Sequence, residues 1–290
     1  MIYLILSILC SAAIFIIFKS FERFRVNTFT AIVVNYFIAG ITGFATLGET
    51  PSFEKVTTSP WFVNSLILGV VFISLFNIIA ITAQKLGASV ASIANKMALI
   101  IPVGFAIMYY NDVVNAIKIA GILLALIGVY LSTHKEKVDG KKLDKRLLAI
   151  PLVLFLGSGF IDTFLKYNQG AYLNTNAFDA KIFPAITFLT AFTIGIAAMS
   201  IDKSKRDFSR NTLIGGVVLG VINYGSIFFL ISIFNHTDLE SSVVFPINNM
   251  GVVLTTAVAS LLIFKEQFSI KNKIGILVSI IALLLIIFST

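Results

Sequence analysis

In the stretch SVASIANKMALIIP (Ser89 to Pro102), Lys96 and its neighbour Asn95 interrupt an otherwise apolar run. If that run is a helix crossing a bilayer, Lys96 lies ~12 Å along it at 1.5 Å per residue. A charge near the bilayer centre costs roughly 3 kcal/mol on insertion scales, so an ammonium retained there is a candidate functional group. Three readings fit: a lysine whose long stem reaches the surface, a partner for a buried carboxylate, or a cavity-facing cation that binds an anionic group.

Other polar side chains fall within apolar runs. Asp162, in GFIDTFLKYNQG, is the one carboxylate well inside such a run and the natural partner for Lys96. It is also the best candidate for a proton-coupling site, if one exists. Lys166, four residues on, shares its helical face, so the two also fit a self-neutralised pair near a helix end. Asn35, Tyr36, Asn77, Asn223 and Tyr224 sit mid-run. They suit helix–helix hydrogen bonding, worth roughly 0.6 kcal/mol each, or a cavity wall. Asn248 and Asn249 follow Pro246 in FPINNMG, and Pro246 removes a backbone hydrogen bond beside them. Broken helices next to polar side chains are how transporters expose backbone to a ligand. Pro102 is placed to do the same after Lys96.

The elements that must carry these residues follow from composition. Over 290 residues, 58% are hydrophobic and 12% charged, with mean hydropathy +0.96. Soluble domains carry about twice that charge. Apolar runs long enough to cross ~30 Å of hydrocarbon recur along the chain. Lipid-exposed backbone must satisfy its own hydrogen bonds, so the expected fold is an all-α polytopic membrane protein. Ten transmembrane spans are predicted: 2–18, 27–47, 61–83, 88–110, 116–132, 148–168, 177–200, 212–234, 240–264 and 271–289. The first carries no basic residue before it, the reverse of a signal peptide.

The charged segment THKEKVDGKKLDKRL separates five spans from five. The expected organisation is a first repeat over 1–133, a linker over 134–147 and a second repeat over 148–290. GVVFISLFN (Gly69 to Asn77) aligns with GVVLGVIN (Gly216 to Asn223) when one residue is skipped, and SVASIANKM (Ser89 to Met97) with SVVFPINNM (Ser242 to Met250). AGILLALIG (Ala120 to Gly128) aligns with IGILVSIIA (Ile274 to Ala282), and SAAIFIIFK (Ser11 to Lys19) with SGFIDTFLK (Ser158 to Lys166). Five spans per copy turn the second copy upside down, the inverted repeat of secondary transporters, whose site lies near the midplane. Lys96 then faces Asn249, its repeat counterpart.

Charge sets the expected orientation. Lys96, Lys166 and Lys181 fall inside spans, Lys55 and Lys118 on one face, and every other Lys and Arg of the 22 on the opposite face. The positive-inside rule puts that face, with the linker, in the cytoplasm and both termini outside. The net charge of +8 is thus loop charge at a membrane surface, with no nucleic-acid partner expected. Cys10 is the single cysteine, so no intrachain disulfide forms. His134 and His236 fall in loops, which leaves no metal site in the membrane, and no cofactor or nucleotide motif is present.

Ten spans in two five-helix repeats, short loops and an acidic turn between the last two helices of each half resemble the drug/metabolite transporter superfamily, in particular its EamA-like members. The turns are YYNDVVN (Tyr109 to Asn115) and IFKEQFS (Ile263 to Ser269), with Asp112 and Glu266 where the family usually has glutamate. Lys19 and Lys166 match a lysine that the family often carries at the end of each repeat's first helix. The family's Trp-Gly pair before that lysine is absent, Ser11-Ala12 and Ser158-Gly159 standing in its place. The resemblance implies a secondary transporter of small organic metabolites in a bacterial cytoplasmic membrane, with membrane lipids and protons or a counter-substrate as partners. Lys96 favours solutes bearing carboxylate or phosphate, amino acids first. The alternatives are a multidrug exporter of the same fold and, from another class, a membrane-embedded lipid-modifying enzyme. The enzyme would need an Asp, His or Glu cluster at a membrane face, and none is seen.

Overall fold

The computed structural model describes residues 2–47, 51–109, 115–133, 145–173, 177–236, 241–266 and 268–288. Among them the chain is all helical, with no strands. In chain order the helices are α1 (Ile2–Arg23), α2 (Thr28–Ala45), a short α3 (Phe53–Thr57), α4 (Phe62–Leu86), α5 (Ala88–Lys96), α6 (Ile100–Tyr109), α7 (Ala116–Thr133), α8 (Lys145–Asn168), α9 (Ala177–Ile201), α10 (Arg210–His236), α11 (Ser241–Phe264) and α12 (Ile270–Phe288). Among the described residues, seven helical stretches are long and apolar enough to cross a bilayer: Ile2–Arg23, Thr28–Ala45, Phe62–Leu86, Ala149–Leu173, Phe178–Ile201, Arg210–Leu230 and Ile247–Phe264. The expected ten-span count thus stands at seven by this measure, and Ala88–Pro102 and Ile119–Gly128 are shorter apolar stretches.

The reason for one shortfall is local. The predicted span 88–110 is not one helix: α5 ends at Lys96, a 3₁₀ turn follows over Met97–Leu99, and α6 resumes at Ile100. Pro102 has no N–H to donate to the Ala98 carbonyl four residues earlier, which weakens the α-helical ladder over this turn. The break expected beside Pro246 does not occur, as α11 runs unbroken from Ser241 to Phe264. α8 begins at Lys145, inside the expected linker, and closes with a π turn at Gln169–Leu173. Asp112 and residues 134–144 lie outside the described residues.

Helix ends carry the expected chemistry. Asn27 caps α2, its side chain accepting from the Thr30 N–H at 3.0 Å. Within the apolar helices, hydroxyls turn back on their own backbone, as Thr82 does onto the Ile78 carbonyl at 2.7 Å and Thr256 onto Val252 at 2.7 Å. Ile5, Leu9, Val70, Leu152, Leu156, Val218, Val258 and Leu277 instead point outward and exposed. Such outward apolar surface is what lipid requires.

α1 packs on α10 and α11, and α8 packs on α4 and α5. α2 packs on α10, and α9 on α4, while α2 meets α9, α5 meets α11 and α7 runs along α12. Phe18, Phe21, Tyr36, Phe76 and Phe188 fill the centre, with Phe18 edge-on to Phe76 and Tyr36 over Phe188 at 5.9 Å. Gly216 and Gly220 form the GxxxG face of α10. A Cβ there would sit 2.9 Å from the Ala31 carbonyl and 3.0 Å from the Asn35 carbonyl, so only bare glycines allow α10 and α2 to lie this close.

At one end of the helices the two halves are tied by loop hydrogen bonds. The Asn27 N–H donates to Thr212 Oγ1 at 3.0 Å, and Thr30 Oγ1 donates to the Lys205 carbonyl at 2.6 Å. Thr212 Oγ1 donates to Asp207 Oδ2 at 2.7 Å, and the Ser209 N–H to Asp207 Oδ1 at 2.9 Å. The Thr212 hydroxyl, followed by the Ser209 N–H, holds the Asp207 carboxyl below the usual carboxylate range. A depressed folded pKa means stability that is present above the unfolded value near ~4 and lost as pH falls through the folded value. Thermal melts of Asp207→Asn protein should therefore fall less steeply with acidification below about pH 4 than those of the wild type.

Candidate functional site

Lys96 stands at the α5 terminus, where the α-helix gives way to the 3₁₀ turn. The same junction presents Asn95, whose Nδ2 donates to Ser158 Oγ on α8 at 2.7 Å. Gly159 lies beneath Ile101, whose side chain occupies the place a Cβ would take, so the bare glycine is what lets the broken helix pack closely on α8. One turn beyond Ser158, on the same face of α8, comes Asp162. The discontinuity and the bare glycine therefore bring the membrane lysine and the membrane carboxylate to one place.

Lys96 and Asp162 interact electrostatically, and Lys96 is the charge that acts on Asp162. Among the described residues, however, neither is in an ion pair within 4.0 Å. The expected self-neutralised pair of Asp162 with Lys166 is not formed. Asp162 is exposed and Lys96 half-buried. The two opposite charges thus lie near enough to act on each other without closing into an ion pair.

Further polar groups lie on the helices around them. α11 packs against α5 and carries Asn248, which is 2% exposed with an Oδ1 that has no hydrogen-bond partner. Asn249 beside it is half-buried. Ser89, on α5, is likewise buried with an unpartnered hydroxyl. Buried polar atoms are normally satisfied, so the unpartnered Asn248 Oδ1, on the helix packed against α5, and Ser89 Oγ, at the opposite end of α5 from Lys96, are groups with spare bonding capacity. Sequence reasoning missed Ser89 and used Ser158 only in the repeat alignment. The available signal for Ser158 was its spacing of four from Asp162 on a helix.

The remaining predicted residues do not converge on this pair of charges. Asn223 Nδ2 donates to Asn35 Oδ1 at 3.1 Å, a buried bond between α10 and α2. Asn77, its expected repeat counterpart, turns onto the Ile73 carbonyl of its own helix at 2.7 Å. Tyr224 donates to Thr46 Oγ1 at 3.3 Å, and Tyr36 is buried between Phe76 and Phe188 with its hydroxyl unpartnered. Helix–helix bonding accounts for Asn35 and Asn223, and a bond to its own helix accounts for Asn77. Two surface depressions, one by Val33, Phe37 and Phe192, the other by Leu254, Val258 and Leu262, are apolar and have no titratable group. They suit lipid tails rather than a polar solute. No group of three or more His, Cys, Asp or Glu suited to a metal occurs among the described residues.

Comparison with known proteins bears on what such a pair is for. Residues 1–134 match the model of the EamA-like transporter family. The EamA-like half contains α1 to α7, hence Asn95, Lys96 and the broken helix. A Haemophilus influenzae protein described as uncharacterized is 27% identical over 288 residues, covering 97% of this chain and 95% of its own. A solved structure, described as the crystal structure of a protein, superposes with TM-score 0.60 at 13% identity, covering 98% of this chain and 99% of that one. That likeness extends to the fold along nearly the whole length. Separately from that fold likeness, the EamA-like match and the seven apolar helices among the described residues support an integral membrane protein of the kind that moves small solutes.

Within the EamA-like half, Lys19 is a helix-end residue. Its Nζ donates to the Gln84 carbonyl at 2.7 Å, while Gln84 Nε2 donates to the Phe18 carbonyl at 3.1 Å and to Thr28 Oγ1 at 2.8 Å. The lysine that carries part of the family resemblance thus ties the ends of α1, α2 and α4 together, away from Lys96.

Proposed function

We propose that this chain is a secondary transporter of small organic solutes, built as two inverted five-helix repeats that work by alternating access, with a zwitterionic amino acid as the favoured substrate class. The observation that carries the reading is the pair of opposite charges, Lys96 and Asp162, that act on each other without forming an ion pair. An ammonium and a carboxylate held apart complement a solute bearing a carboxylate and an ammonium. Asn95, Asn248, Asn249 and Ser158 supply donors and acceptors around it, and Asp162 doubles as the candidate proton-coupling group.

Helix packing supports the inverted repeat. When α1, α2, α4, α5–α6 and α7 are paired with α8, α9, α10, α11 and α12, the contacts map onto one another. α1 on α10 corresponds to α8 on α4, and α2 on α10 to α9 on α4. α2–α9, α5–α11 and α7–α12 each join a helix to its own counterpart. That is the pattern of a pseudo-two-fold axis, and α5 and α11, which carry Lys96 and Asn249, meet on it.

A thermal-shift screen of the purified protein tests the reading, because a ligand that binds only the folded state stabilises it by about 2.7 kcal/mol at a hundredfold excess over Kd. Amino acids, organic acids, sugar phosphates and lipophilic cations form the panel. Stabilisation by zwitterions ahead of singly charged analogues is expected. A response confined to lipophilic cations would replace this reading with a multidrug exporter.

A further inference from the structure

α5 starts at Gly87 in a conformation, φ 115° and ψ 149°, that side-chain-bearing residues rarely adopt. Gly87 has no side chain with which to cap the helix. The α5 N-terminus is capped from far along the chain instead: the Ala88 N–H donates to Glu266 Oε1 at 3.2 Å, across 178 positions of sequence. A Cβ at Gly87 would fall 2.9 Å from both Glu266 carboxylate oxygens, so the carboxylate rests on the bare glycine as well. Glu266 is itself placed by its turn, in which Lys265 has φ 52° and the Glu266 N–H donates to the Ser260 carbonyl at 3.2 Å. A negative group at this end of a helix gains from both the exposed N–H groups and the helix dipole.

The consequence lies at the other end of the same short helix. α5 is nine residues long and closes on Lys96, ~12 Å from the cap. Beyond Lys96 the 3₁₀ turn interrupts the ladder, so α5 is not braced by a continuous helix on that side. Its direction is set by its packing and by the one charged anchor at Ala88. That anchor comes from the second half of the chain, whereas Lys96 belongs to the first.

We propose that Glu266 is a positioning residue for the Lys96 site, a carboxylate of the second half that latches the first turn of α5 and thereby fixes where Lys96 faces Asp162. The proposal rests on the transport reading for its purpose, but its geometry does not. Helix by helix, the α4–α5 junction and the α11–α12 turn lie at the end of the bundle from which the linker leaves, so the latch also fastens the two halves together at that end.

Hydrogen–deuterium exchange of the full-length purified protein tests this without any substrate. Glu266→Ala is expected to speed exchange across residues 88–96 about fivefold, the effect of losing one cap. Exchange in α9, which is not among the helices packed against α5, stays as in the wild type. Glu266→Gln keeps an acceptor for the Ala88 N–H and restores most of the protection, which general destabilisation would not do. In a Cys10→Ala background, a cysteine introduced by Ser92→Cys, buried on α5 between the latch and Lys96, should react faster with a membrane-impermeant maleimide from the linker side once Glu266→Ala is added. Should Glu266→Ala not fold, Glu266→Asp, with a stem too short to reach Ala88, gives the same comparison with Gln. Unchanged exchange over 88–96 in a folded Glu266→Ala or Glu266→Asp protein overturns the latch. Failure of the amino-acid screen with exchange altered as expected would remove the transport reading and leave the latch standing.

Discussion

Lys96→Gln protein is expected to lose the stabilisation that zwitterionic amino acids give the wild type, with apparent affinity ~10–100-fold lower. That range is the loss of one charge-assisted hydrogen bond, about 1.5–3 kcal/mol, converted at 1.4 kcal/mol per tenfold. The ligand-free protein should behave in the opposite way. An ammonium in a membrane helix opposes insertion by roughly 3 kcal/mol, so replacing it with a neutral amide should leave the ligand-free melting temperature unchanged or higher. A structural lysine predicts the reverse pairing: lower stability and an undiminished ligand response. Melting curves of both proteins with and without ligand separate the two roles in one experiment. Normal ligand stabilisation of Lys96→Gln would show that the cation does not face the solute. A decarboxylated analogue sharpens the test. With no anion for Lys96 to bind and a like charge opposite it, the amine should stabilise Lys96→Gln at least as well as wild type.

How far this site could be read in advance depends on the kind of signal each part carries. Lys96 and Asp162 were legible because a charge in an apolar run violates the cost of desolvation, and that violation is local in sequence. Their juxtaposition was legible only as the need for a counter-charge. Their separation was not, because spacing along two helices says nothing about how closely those helices approach. Gly159 under Ile101 sets that approach, and a glycine in an apolar helix carries no mark of which neighbour it admits. The break after Lys96 was foreshadowed by Pro102. The same reasoning at Pro246 failed: α11 runs through it unbroken from Ser241 to Phe264, although its missing N–H leaves the Ser242 carbonyl without that helical donor. Asn77 and Asn223 matched as repeat counterparts, yet one bonds its own helix and the other α2. Sequence similarity transmits the residue but not the neighbour. The cap at Ala88 was hidden for a related reason. Glu266 reads as an ordinary turn carboxylate, and nothing in the sequence near Gly87 announces a partner 178 positions away.

Asp162→Asn carries the complementary prediction. If Asp162 meets the ammonium of a zwitterion, its neutral amide loses the attraction for that ammonium while Lys96 still binds the carboxylate. The variant should bind an amino acid ~10–100-fold more weakly than wild type does, by the same charge-assisted bond energy. Its affinity for the matching carboxylic acid without the amine should hold or improve. In the wild type such an acid places no cation opposite Asp162 and leaves two negative groups near each other. In Asp162→Asn that repulsion is gone. The ratio of amino acid to deaminated acid affinity is thus expected to collapse toward one, whereas in Lys96→Gln both fall. Melting shifts for the two ligands against the two variants form a cycle, and coupling in it isolates which end of the solute each residue faces. Equal losses for both ligands in Asp162→Asn would assign the carboxylate to holding Lys96 in place. Unchanged binding of both would leave Asp162 the proton-coupling role alone, and in that case Asp162→Asn transport should no longer respond to an imposed pH gradient.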